Sequence, residues 1–225
     1  MTRLLPLLQL KRALLLRALG YRYTDETIDV SPRQPSSTSA PDTTDLASLK
    51  RTIDACHLCE LSKTRTRAVT GRGSDSPVIM FVGEYPGLAE DSSGEAFSGR
   101  SGQMLRQMIE NVLFLHVNEC YITYLIKCTP SQQHRKLGTY TEMCAPYLEQ
   151  EIALLSPRII VSLGSGAFDR LTGNTRPLEE VRQTLGHYGD IPVVATYAPT
   201  YLLKNPGKKR DAMQDLLFIK SLLKR

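Results

Sequence analysis

The chain of 225 residues has no tryptophan and only five phenylalanines, so its interior has to be built from aliphatic side chains and a share of its ten tyrosines. It lacks an uninterrupted apolar run long enough to cross a bilayer, which excludes a membrane-spanning helix. The leucine-rich opening, MTRLLPLLQLKRALLLRALGYRY, is broken by Lys11, Arg12 and Arg17 before it reaches a useful signal-peptide length. Without a signal segment, the five cysteines do not form a disulfide framework, and a cytosolic (cytoplasmic) protein is expected. Acid is the scarcer charge, with 23 Asp and Glu against 28 Lys and Arg. The net charge of +5 favours a polyanionic partner.

The part around which the chain is organised is residues 78–105, VIMFVGEYPGLAEDSSGEAFSGRSGQML. A short aliphatic run enters a polar, glycine-rich loop, and a helical pattern follows. That order places the loop at the carboxyl edge of a sheet, where open α/β folds bind ligands. Similar apolar runs at 78–82, 120–126, 158–163 and 191–195 alternate with helical patterns at 101–115, 139–155, 165–171 and 208–224. Four such units predict an α/β sandwich around a central, mainly parallel sheet. Upstream, residues 1–23 carry Leu4, Leu7, Leu8, Leu14, Leu15 and Leu19 at amphipathic-helix spacing, with docking on its own domain as the expected role. Residues 24–45 are rich in Ser, Thr, Pro and Asp and read as a flexible linker. Asp45 is placed to cap the first helix of a folded domain spanning 46–225.

Cys56-His-Leu-Cys59 is a C-x2-C pair, and Cys128 and Cys144 follow further along the chain. Four thiolates brought together by folding suit zinc or an iron–sulfur cluster, and ligand softness alone does not separate the two. Cys120 lies inside an apolar run and reads as a core residue.

In order, Cys56/Cys59, GEYPG 83–87, AFSGRSGQML 96–105, YITYLIKCTP 121–130, CAPYL 144–148, SPRIIVSLG 156–164 and TYAPTYLL 196–203 resemble the iron–sulfur, family-four uracil-DNA glycosylases. The resemblance runs from about residue 46 onward. It implies a three-layer α/β/α sandwich with a central four-stranded, mainly parallel sheet. It also implies a 4Fe-4S cluster on Cys56, Cys59, Cys128 and Cys144, and base-excision repair of DNA. Such an enzyme extracts a nucleotide from the stack and stabilises charge as the glycosidic bond breaks. Carried onto this chain, the pattern makes Glu84 and Gly83 the catalytic loop and Phe97 the aromatic that stacks on the base. Tyr85, Tyr124 and Ala198 complete the base-binding set.

Three of these positions depart from the family pattern. Tyr124 stands where an asparagine reads the uracil edge, Ala198 where a histidine serves the oxyanion, and Tyr85 where the loop has a small residue. Alanine has no donor, and a tyrosine hydroxyl does not replace a carboxamide's paired donor and acceptor. Weak uracil excision is therefore expected. Tyr201, Leu202 and Leu203 occupy the place of the loop that wedges into DNA, followed by Lys204, Lys208, Lys209 and Arg210 for phosphates. Arg65, Arg67, Arg72 and Arg100 are candidates for the same face. DNA, single-stranded or duplex with a damaged base, is the expected partner of a monomeric protein that does not engage membranes. The alternatives are a non-catalytic DNA-binding iron–sulfur protein, and a metal-stapled scaffold that recruits a partner through residues 1–23.

Overall fold

The structure is a computed structural model that describes residues 45–131 and 137–223. The expected N-terminal helix, and the linker except Asp45, lie outside the described residues. Four strands, β2 (Ile79–Gly83), β3 (Cys120–Tyr124), β4 (Ile159–Leu163) and β6 (Ile191–Thr196), pair in parallel in the order β3-β2-β4-β6. This is the four-stranded core expected from the sequence, with boundaries moved by one or two residues. Two short antiparallel strands extend it: β1 (Arg72–Gly73) beside β3 and β5 (Gly186–Tyr188) beside β6, making six strands. Strands of two and three residues are too short for a periodic signal, which is why neither was expected.

Both faces of the sheet are covered, so the inner strands read as continuous apolar runs rather than alternating ones. Met80, Val82, Ile160, Val193 and Ala195 face one layer. It contains α1 (Leu46–Asp54), α5 (Leu137–Leu155) and α6 (Ser165–Thr172), contributing Leu49, Ile53, Leu148, Ile152 and Phe168. Ile79, Phe81, Ile122, Val161 and Val194 face the other, where Leu105, Ile109, Leu202, Leu216 and Ile219 pack. Those residues come from α4 (Arg100–Met108), the π-helical turn Ile109–Leu113, α8 (Pro199–Lys204) and α9 (Lys209–Leu223). The short helices α2 (Leu61–Thr64), α3 (Leu88–Ser93) and α7 (Leu178–Val181), with the 3-10 turns Val117–Glu119 and Pro206–Lys208, complete the described elements. Asp45 caps α1, its Oδ1 accepting the Ser48 N–H at 2.8 Å. No helix among the described residues is long and apolar enough to cross a membrane.

The helix expected over 101–115 changes character midway, because Phe114 closes the π-turn in a left-handed conformation (φ +57°). In the middle of β4, the Ser162 hydroxyl is buried without a hydrogen-bond partner among the described residues. Ser162→Ala removes that unpaired group at almost constant shape. Stability should rise by about 1 kcal/mol in urea unfolding, and a fall would show that the hydroxyl is used.

Candidate active site

The carboxyl ends of β2, β3, β4 and β6 open into one cleft of about 700 Å³. The chain leaves β2 for β3 on one side and returns to β4 on the other, so the cleft lies at the reversal of strand order that favours ligand sites. Gly83, Glu84, Tyr85 and Gly87 line it from the end of β2, and Tyr124 from the end of β3. Leu163 and Gly164 contribute from β4, and Tyr197 and Ala198 from β6.

Glu84 is held from two directions. Its Oε1 accepts the Gly166 N–H at 3.0 Å across 82 residues of chain, and its own carbonyl accepts the Ile126 N–H at 3.1 Å. The glycines make room for the carboxylate: a Cβ at Gly166 would lie 2.7 Å from Oε1, and one at Gly164 2.9 Å. Gly164 also has φ +112°, a region that suits glycine. Below it, Glu90 is buried, accepting the Gly87 N–H at 3.1 Å and the Ser101 hydroxyl at 3.3 Å. Glu90 thereby caps α3, a helix hidden in what the sequence presents as a plain loop.

Phe97 adopts a left-handed backbone (φ +51°), which a bulky residue holds only when its surroundings over-determine it. Arg72 supplies part of that restraint, donating from Nε to the Ala96 carbonyl at 2.6 Å and from Nη2 to the Phe97 carbonyl at 3.0 Å. The Phe97 N–H donates to the Tyr124 hydroxyl at 3.3 Å. The two rings lie in a parallel stack, 4.7 Å between centroids and 12° between planes, and each residue is only 4% exposed. Burial, with the Glu90 charge adding to it, pushes the Tyr124 phenol well above its usual range, so the hydroxyl stays neutral.

Cys128 and Cys144 are buried, and Cys56 and Cys59 pack against the same core cluster. The Cys144 thiol is pushed up to about 12, chiefly by burial, with neighbouring Cys128 and Cys56 contributing to the rise. Cys128 is also raised, chiefly by burial, with Cys59 and Cys56 adding to it. N–H donors oppose these effects: Arg65 Nη1 to Cys128 Sγ at 3.1 Å and the Lys127 N–H to Cys144 Sγ at 3.5 Å. Arg65 Nη2 also donates to the Asp54 and Cys56 carbonyls, at 2.8 and 2.9 Å, tying the C-x2-C turn to the Cys128 loop. Among the described residues, no three His, Cys, Asp or Glu side chains meet the geometry for a single metal ion. The four thiols lie near enough to influence one another's ionisation, and N–H donors reach Cys128 and Cys144, a sulfur-rich donor set that suits a soft metal centre.

Residues 70–219 match the family model described as the uracil DNA glycosylase superfamily. The chain belongs to this superfamily. A type-4 uracil-DNA glycosylase of Sulfurisphaera tokodaii is 34% identical over 185 residues, covering 79% of this chain and 84% of that protein. One of Saccharolobus solfataricus is 34% identical over 179 residues, covering 76% and 83%. One of Thermotoga maritima is 30% identical over 177 residues, covering 77% and 92%.

Within this superfamily member, the expected site residues do not all converge. Glu84, Gly83, Phe97, Tyr124 and Ala198 meet around the cleft, and Tyr85 also lines it, with the residue 43% exposed. Ala198 precedes α8 and offers only a methyl group. Leu202, expected in the DNA wedge, is buried in the core instead, because α8 turns every third or fourth side chain inward. Tyr201 and Leu203 remain exposed. Of the basic run, Lys204 lines the cleft. Lys208 pairs with Asp211 at 3.4 Å and sits 5.5 Å above the Tyr197 ring. Lys209 lines a separate groove between α4 and α9, and Arg210 is exposed. Arg65 and Arg72, considered for phosphates, are engaged with the cysteines and the Phe97 loop instead, whereas Arg67 and Arg100 are exposed.

Several lining residues escaped the sequence reading. Glu179 from α7 accepts the Tyr197 hydroxyl at 3.3 Å, and Tyr197 stacks on Tyr201 at 5.4 Å. Glycines directly after an apolar run, in SLGSG 162–166, carry the same signature as GEYPG and could have revealed the Gly166 anchor.

Proposed function

We propose that the protein is a DNA base-excision glycosylase that hydrolyses the N-glycosidic bond of uracil or a related damaged base, with uracil a poor substrate. The observation that carries this reading is Glu84, held by the Gly166 N–H over an open cleft at the carboxyl ends of the parallel strands. As the bond from C1′ to the base nitrogen breaks, its electron pair leaves with the base and the sugar becomes cation-like. Glu84 opposes that positive charge and orients the water whose oxygen bonds to C1′; the water's proton passes to the base or to solvent. Gly83 lets the loop backbone approach the sugar. Tyr201 and Leu203 support the emptied site, and Lys204, Lys209 and Arg210 take phosphates. Cys56, Cys59, Cys128 and Cys144 would hold a 4Fe-4S cluster, which when bound supplies a structural staple between the start of the domain and the β3–α5 connection.

A lesion-panel assay on anaerobically purified protein tests the reading. The sample should be brown, absorbing broadly at about 400 nm, and should release a base from at least one lesion. Uracil release from single-stranded DNA is expected to be at least about tenfold slower than that of the Sulfurisphaera relative at matched salt. Equal turnover would remove the claim of a weakened uracil site.

A further inference from the structure

Tyr124 does more than lack a carboxamide. An extruded base is gripped by an aromatic face, and here the face of Phe97 is already covered by a parallel ring at 4.7 Å. That ring is fixed on several sides. Its hydroxyl accepts the Phe97 N–H at 3.3 Å, and the backbone of Gly83 presses against it so closely that a Cβ there would lie 2.7 Å from the ring. Phe97 is itself only 4% exposed, so little of its ring is free beyond that stack. Beside this filled subsite the cleft remains wide, with Glu84 in position and Lys204 at its edge.

We infer that Tyr124 is the protein's own occupant of the base subsite, and that the nucleotide this cleft prefers is an extruded deoxyribose carrying no base. A base-bearing nucleotide pays for unstacking and then finds its place taken; an abasic one has no base to unstack or to house. The sugar-facing part of the site asks only for a deoxyribose and its flanking phosphates. The inference rests on the reading that the cleft receives an extruded nucleotide, and it makes Tyr124 a specificity-determining residue.

The test is binding of the full chain, cluster retained, to labelled duplexes identical except at one position. That position carries a tetrahydrofuran abasic analogue, a hydrolysis-resistant 2′-fluoro-deoxyuridine, or thymidine. The abasic duplex should bind at least about tenfold more tightly than the other two. In Tyr124→Asn the gap between the abasic and uridine duplexes should close to within about threefold. Tyr124→Phe keeps the ring and the stack without the hydroxyl, so it should keep the preference, and it reports on the ring if the Asn variant fails to fold. Equal wild-type binding to all three duplexes overturns the inference, as does loss of the preference in a folded Tyr124→Phe. Tight, selective abasic binding with no base released from any lesion upholds the occupant role of Tyr124 and overturns the glycosylase reading. Uracil release at the relatives' rate without abasic preference does the reverse.

Discussion

Tyr124→Asn combined with Ala198→His is expected to raise uracil release from single-stranded DNA by about 10²-fold or more over the unaltered chain. Both positions line the same cleft, one at the end of β3 and the other between β6 and α8. The asparagine clears the face of Phe97 and supplies a donor and an acceptor to the edge of the base. The histidine supplies the donor that Ala198 lacks, and a missing oxyanion donor typically costs about 10²–10³ in rate. The two changes should be strongly non-additive. Ala198→His alone faces a subsite still filled by the tyrosine ring and should gain little. Tyr124→Asn alone should lower KM for uracil DNA while kcat stays low. If the single histidine variant matched the double, the stacked ring would not be the obstacle, and the reading of β3 given above would be wrong. Single-turnover measurements on all three variants, at one salt concentration, decide the matter.

Lys127→Met should destabilise the protein by about 3–5 kcal/mol, the usual cost of leaving a buried charge without its partner. Lys127 is 1% exposed, and its Nζ donates to Glu151 Oε2 at 2.7 Å, the Thr123 hydroxyl at 2.7 Å and the Tyr124 carbonyl at 2.8 Å. Glu151, fully buried on α5, also accepts the Thr123 hydroxyl at 2.8 Å and the Tyr121 hydroxyl at 3.1 Å. One ion pair thus joins β3, the loop to Cys128 and the helix that bears Cys144. Removing the cation leaves the buried carboxylate with its hydroxyl donors but without the Lys127 charge. Removing both charges with Lys127→Met and Glu151→Leu should recover much of the loss, since a buried pair contributes little beyond its own desolvation. Urea unfolding of the two variants measures this. A double variant no more stable than the single would show that the pair is a net source of stability.

The two predictions concern features with very different visibility in the chain. Val78–Val82 and Arg158–Leu163 announced buried strands because a strand covered on both faces needs an unbroken apolar run. The C-x2-C pair and its two later partners were readable for a similar reason: ligand chemistry restricts residue type strongly enough to show in one sequence. Glu84 and Phe97 stood out through the glycines around them. The buried partnership of Lys127 with Glu151 was not readable, because 24 residues separate them and nothing local marks either as charged and enclosed. Leu202 was misplaced for a related reason. A six-residue helix is too short to display its inward face in a hydrophobic pattern.

Residue types and their order along the chain thus determined the superfamily, the four parallel strands, the four cysteines and the fact that Tyr124 and Ala198 break the uracil pattern. Only the tertiary structure decided where those side chains lie and what they touch. The order of residues specifies which atoms are available, but the direction of a side chain is set by packing from elements far away in the chain. Gly83 and Phe97 hold the Tyr124 ring flat against the face of Phe97, and Gly166 reaches across 82 residues of chain to hold Glu84.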